Sequence, residues 1–212
     1  MSLLEYILLA ASSLFVIVDP IGTVPAFIAM TPHDTPADRS RMAKIACMVS
    51  SAMLLVFAFA GMAIFKYLGI SMPAFQVAGS IVLLMLAVDM LMAKRSPVRE
   101  TSEETEAAAE KTDIAVTPLG VPLLAGPGAI STVILMQTQA GNDLWKNVAL
   151  CGCVMTVLLA TYIILRTAAH GAKWLNPIAI KISTRIMGLL LMAMAIQFLA
   201  NGIRDLKLWG AS

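Results

Sequence analysis

Five stretches of this chain, 45–65, 70–88, 114–142, 147–165 and 186–203, contain no charged residue, and a sixth, 6–32, contains only Asp19. About 20 apolar residues suffice to cross the hydrocarbon core of a bilayer as a helix. With 59% hydrophobic and 13% charged residues, the chain cannot enclose a core in a polar shell. Its sequence therefore predicts an all-α polytopic membrane protein with six transmembrane segments in one domain, 1–212, whose main partner is the lipid bilayer. No Lys or Arg precedes the first apolar run, only Glu5, so that run reads as a span and not as a cleavable signal.

Segments 6–32 and 114–142 stand apart from the other four. Fully helical, they would measure about 40 Å and 44 Å against a hydrocarbon core of about 30 Å. Each is interrupted by proline and glycine, the first at Asp19-Pro20-Ile21-Gly22-Thr23-Val24-Pro25 and the second at Gly126-Pro127-Gly128. Proline withholds a backbone donor and disfavours helix in the residue before it. Unwound backbone is tolerated at membrane depth only where protein or a water-filled cavity surrounds it. Paired broken helices in matching positions of two halves are thus a sequence pointer to a transport site.

The halves match in spacing. Asp19 precedes Gly126 by 107 positions, and the Ala78-Gly79-Ser80 segment precedes Met187-Gly188-Leu189 by 109. The acidic stretch 94–113 separates repeat one, 1–93, from repeat two, 114–212, and reads as a solvated linker. With three segments per half the second copy enters from the opposite side, so the expected architecture is two inverted three-helix repeats with helices 1 and 4 broken. Assigned alternately to two sides, the loops carry eleven Lys and Arg on one side and four on the other. The excess places the linker in the cytoplasm and both termini outside, in a bacterial inner membrane. The basic residues flank membrane segments, so the chain is not expected to bind nucleic acid.

Counted from the segment ends, both breaks fall near the bilayer midplane. At the first, Asp19 before Pro20 has the pattern of an N-cap followed by the first helical residue, and an intramembrane carboxylate also suits a proton or sodium ion. Gly22, Thr23 and Pro25 extend the weak stretch. At the second, Gly126 and Gly128 leave backbone on both sides of Pro127 open to a small ligand, with Ser131 and Thr132 one turn on to supply hydroxyls. Asp89 lies near the cytoplasmic end of its helix, where it reads as a solvated end with a proton relay as the alternative, and Gln197 and Asn201 share one face of the last segment as interhelical bonds or ligands. Arg166 and Arg185 read as cytoplasmic anchors. His33 and His170 fall in expected loops, and Cys47, Cys151 and Cys153 read as packing residues, so no metal site is expected.

Three strings carry a resemblance: Asp19-Pro20-Ile21-Gly22-Thr23-Val24-Pro25, Pro122-Leu123-Leu124-Ala125-Gly126-Pro127-Gly128-Ala129-Ile130-Ser131, and Arg185-Ile186-Met187-Gly188-Leu189-Leu190-Leu191. On these the chain resembles the MarC family of bacterial and archaeal inner-membrane proteins over nearly its whole length. The resemblance implies a six-span transporter for small neutral amino acids such as glycine and alanine.

The expected activity is secondary transport of such a zwitterion, coupled to protons or sodium and needing no other cofactor. Efflux of other small solutes or drugs is the alternative, although the chain has few aromatic residues to line a large drug cavity. An assembly factor or scaffold that transports nothing is the alternative from another class. No H-E-x-x-H or G-x-S-x-G motif supports an enzyme. Six spans make a small transporter, and a second copy of the chain is a candidate partner.

Overall fold

The computed structural model describes residues 1–31, 34–92, 115–171 and 177–209. The linker 94–113 and His33 lie outside the described residues. All regular structure among those described is helical: α1 (Leu3–Val18), α2 (Thr23–Met30), α3 (Pro36–Leu68), α4 (Met72–Met92), α5 (Ala115–Leu124), α6 (Pro127–Ala140), α7 (Leu144–Gly171) and α8 (Pro177–Trp209). The wider-wound α5 is π-helical.

Local chemistry sets most of the boundaries. Ser2 and Glu5 cap α1 reciprocally, each side chain bonding the other residue's backbone N–H. Thr35 accepts from the Asp38 N–H and Pro36 opens α3, which stops at Gly69 in the left-handed conformation. Asp143 Oδ1 accepts from the amides of Trp145 and Lys146 and starts α7. These caps make three helices longer than their apolar cores. Arg39, Arg41 and Lys44, expected in a loop, ride on the first turns of α3, and His170, also expected in a loop, sits in the last turn of α7.

Five helical stretches among the described residues are long and apolar enough to cross a membrane, the first being Leu3–Met30, α1 and α2 taken together. Segment 115–140 is different. It is divided into helices of 10 and 14 residues, neither long enough alone to cross. The exterior is apolar, with Val16, Met62, Met85 and Leu159 exposed, while small side chains such as Ala10, Ala43, Ala46, Ala129 and Ala169 fill the interior. That distribution suits a protein whose solvent is lipid and whose helices approach through small residues.

The helices pair in related couples. α3 packs on α7 and α4 on α8; α1 packs on α7 while α5 packs on α3; α2 packs on α8 while α6 packs on α4. Exchanging the first four helices with the last four reproduces each of these pairings. Individual contacts give directions. The Tyr6 hydroxyl donates to the Met136 carbonyl at 3.0 Å, and Ile17 reaches Gly128, so α1 and α6 are antiparallel. Gly188 lies against Ala87 and Leu91, and Gly202 against Pro73 and Val77, so α4 and α8 are antiparallel too. Ser50 Oγ donates to the Gly120 carbonyl at 3.1 Å, while Gly61 faces Ile134, so α3 runs parallel to the α5–α6 segment.

Candidate functional site

The first break spans four residues, Asp19 to Gly22, the last three of them a turn. The Asp19 N–H still donates to the Phe15 carbonyl, but its own backbone is left-handed at φ 45° and ψ 68°, ending α1. Short polar side chains tolerate this region better than most. Asp19 Oδ1 accepts from the Gly22 N–H at 3.0 Å, and any Cβ at Gly22 would overlap that carboxylate. Thr23, buried, donates its hydroxyl to the Asp19 carbonyl at 2.9 Å, and its N–H donates to the same carbonyl at 3.0 Å. Carbonyls released by the break are therefore partly taken up by Thr23.

Two sequence expectations change here. Helix α2 resumes at Thr23 behind Gly22, not at Pro20, so Asp19 caps the intervening turn and not the half-helix directly. Pro25 falls in the first turn of α2, where its missing N–H has no helical partner to lose. It does not extend the break. Pro20 is buried and Asp19 exposed on the protein surface.

At the second break the Ala125 N–H closes α5 by donating to the Gly120 carbonyl at 2.8 Å. Gly126 is extended, with φ −76° and ψ 173°, and caps α6 without a side chain; Pro127 is the first helical residue. The amides that follow lie at the positive end of a 14-residue helix. Gly126, Pro127 and Gly128 are all buried. Ser131 Oγ donates to the Pro127 carbonyl at 2.7 Å and approaches Met72 Sδ at 3.3 Å. Thr132 Oγ1 donates to the Gly128 carbonyl at 2.8 Å. Both hydroxyl protons are thus turned back onto their own helix, which leaves oxygen lone pairs for a ligand.

The two breaks adjoin. A Cβ at Gly128 would sit 3.3 Å from Ile17 Cγ2 and 3.3 Å from Phe198 Cζ. Ile17 lies two residues before Asp19, so the C-terminal end of α1 stands beside the N-terminal end of α6. Their backbone dipoles present opposite partial charges side by side. Pro127 in turn fills the space of a side chain at Gly79 of α4.

Asp89 is exposed on α4. Gln197 Nε2 donates to Asn201 Oδ1 at 3.0 Å along the exposed face of α8, so this pair bonds internally. The three cysteines are free. Among the described residues no three His, Cys, Asp or Glu side chains cluster as metal ligands.

Sequence reasoning missed Phe198, Gly79 and Arg39. Phe198 carries no local signal, since one apolar residue among many acquires its role from the neighbour it meets, and Gly79 stood out only in the spacing of the two halves. Arg39 was legible: the Thr35-Pro36-Ala37-Asp38 start signal places it inside a helix. It is buried, and its Nε and Nη2 donate to the Thr31 carbonyl at the end of α2, at 2.9 Å and 2.6 Å.

Apolar-faced helices of membrane length, two of the segments broken, define an integral multi-pass membrane protein. The sequence profile of the MarC family integral membrane proteins matches residues 4–207. A UPF0056 membrane protein of Methanocaldococcus jannaschii is 38% identical over 201 residues, covering 95% of this chain and 97% of that one. The UPF0056 membrane protein YvbG of Bacillus subtilis is 34% identical, covering 92% of each chain. The UPF0056 membrane protein YhcE of Escherichia coli is 33% identical over 91% of this chain and 89% of its own. No solved structure matches the chain. The chain belongs to the MarC family.

Proposed function

We propose that this MarC-family protein is a secondary transporter of small neutral amino acids of the glycine and alanine type, coupled to protons or sodium. The observation that carries the reading is the meeting of two helix breaks at Ile17 and Gly128. A zwitterion suits such a place: its carboxylate faces the N–H groups that begin α6, and its ammonium faces Asp19 and the carbonyls that end α1. Asp19, Pro20, Gly22, Thr23, Pro25, Gly126, Pro127, Gly128, Ser131 and Thr132 are the residues assigned to substrate or ion.

The same reading takes 115–140 as a sixth crossing and the chain as two inverted repeats, 1–93 and 114–212, in one domain. The exchange-related helix pairings and the antiparallel runs of α1 with α6 and α4 with α8 support it. The proposed setting is the inner membrane, with both termini outside and a second copy of the chain as a candidate partner. No enzymatic role is proposed.

A panel of amino acids in a thermal-shift assay tests the substrate assignment. A ligand at 100 times its Kd adds about 2.7 kcal/mol to the folded state. Glycine or alanine should raise the melting temperature while charged amino acids do not. A panel with no effect favours the scaffold reading, and stabilisation by bulky drugs alone favours efflux.

A further inference from the structure

The interior is packed in two unequal parts. Among the described residues, the larger set of mutually packed buried residues draws on α1, α2, α3, α5, α6 and α7; α4 reaches it at its first turn, through the partly buried Met72 and Phe75, whose ring centroid lies 5.1 Å from that of Phe65. A smaller set joins Ala87 and Met90 of α4 to Leu191 of α8, with Ala26 of α2. Helices α4 and α8 are held to one another backbone to backbone. A Cβ at Gly188 would lie 3.1 Å from the Ala87 carbonyl oxygen, and one at Gly202 3.1 Å from the Pro73 carbonyl oxygen.

Against α6, the same two helices meet a ring with a glycine on each side. Gly79 of α4 rests on Pro127, and the Phe198 ring of α8 rests on Gly128. The Phe198 ring makes no hydrogen bond to Gly128, so the α8 side of this seam is suited to shear, while on the α4 side Ser131 Oγ also meets Met72 Sδ at 3.3 Å. Ile17, which meets the same Cβ position of Gly128 at 3.3 Å, belongs to α1 and is a partly buried neighbour of the larger packed set. Gly128 is therefore covered jointly by a residue of the larger packed set and by a residue of the α4–α8 pair.

The geometry points to Phe198 as the gate over the second break: its ring closes the Gly128 face of α6, and its displacement with α8 opens that face to substrate. The inference rests on the transport reading, because a gate has meaning only over a site. It also accounts for small substrates, since the opening left by one displaced ring is about the size of that ring. Phe198 is a gating residue and makes no claim on coupling.

Labelling of a thiol placed under the ring tests this without any substrate. Gly128→Cys is prepared in the full-length protein, alone and with Phe198→Ala, Phe198→Val or Phe198→Leu. The reconstituted proteins are exposed to a membrane-impermeant maleimide, and the labelling of Cys47, Cys151 and Cys153 is subtracted using partners that retain Gly128. Labelling at position 128 should be slow with Phe198 and with the bulky Leu. It should be faster by at least about tenfold with Ala or Val, because the open population rises. The valine protein carries the test if the alanine protein does not insert. Equal rates with and without the ring, fast or slow, overturn the inference. Uptake of labelled alanine and leucine is measured in parallel: faster labelling with no amino acid carried by any of the proteins leaves the gate standing and retires the amino acid reading.

Discussion

Arg39 and Thr31 lock the end of α2 to the start of α3: two nitrogens of a buried guanidinium converge on one backbone carbonyl, at 2.9 Å and 2.6 Å. Thr31, fully buried, has its hydroxyl committed to the Phe27 carbonyl. Hydrogen bonds involving a charged group contribute about 1.5–3 kcal/mol each. Arg39→Ala should therefore lower the melting temperature in detergent clearly, and Arg39→Lys by less, since an ammonium keeps a donor but not the planar fork. An alanine protein that melts with the parent would remove the lock from the account.

The α4–α8 seam makes a prediction with two signs. Added methyls at Gly188 or Gly202 meet backbone atoms, which cannot step aside as a side chain would. Gly188→Ala and Gly202→Ala should each destabilise by about 1–3 kcal/mol through overpacking. Gly152, inside α7, has nothing within 4 Å of the same position. Gly152→Ala should be neutral or stabilising by up to about 1 kcal/mol. Thermal melts of the three proteins decide, and equal shifts would contradict the packing described.

The all-helical class and the two interruptions were legible because hydropathy, proline and glycine act locally; of the six expected crossings, five are helical stretches long and apolar enough to span among the described residues. The depth of each helix beyond its apolar core was not read as well, since capping at Thr35 and Asp143 extends regular structure into polar sequence. At the site, proline and glycine marked the breaks correctly but not what fills them. Gly128 reads in sequence as room for a ligand, yet in the fold that room is taken by Ile17 and Phe198, one from each half. Asp19 reads as the cap of a helix beginning at Pro20, yet a left-handed backbone moves the new helix to Thr23. Both differences arise from tertiary contact or from a single dihedral, and neither leaves a pattern along the chain.

Capping and coupling by Asp19 can be separated. Asn accepts the left-handed conformation and can still receive the Gly22 N–H, so Asp19→Asn should fold normally. Asp19→Ala loses the cap, about 1 kcal/mol, and incurs about 1–2 kcal/mol for its left-handed backbone. If the carboxylate carries the coupling ion, uptake driven by a gradient should disappear in both variants while substrate exchange persists in the asparagine protein. Full driven uptake in Asp19→Asn would leave Asp19 as a cap alone.

The proposed orientation rests on the eleven-to-four imbalance of basic residues. A reporter fused after Ser212 should behave as extracytoplasmic, and one inserted in 94–113 as cytoplasmic. Cytoplasmic behaviour at both positions would break the alternation on which the inverted repeat depends.

Above all, the protein is proposed to carry small neutral amino acids across the membrane on a proton or sodium gradient. Uptake of labelled glycine and alanine into proteoliposomes, under separately imposed proton and sodium gradients, measures it most directly. The account expects accumulation above the equilibrium level with one of the two gradients, abolished when that gradient is collapsed and competed by other small neutral amino acids. Fluxes equal to those of protein-free vesicles under both gradients and in both directions would contradict it.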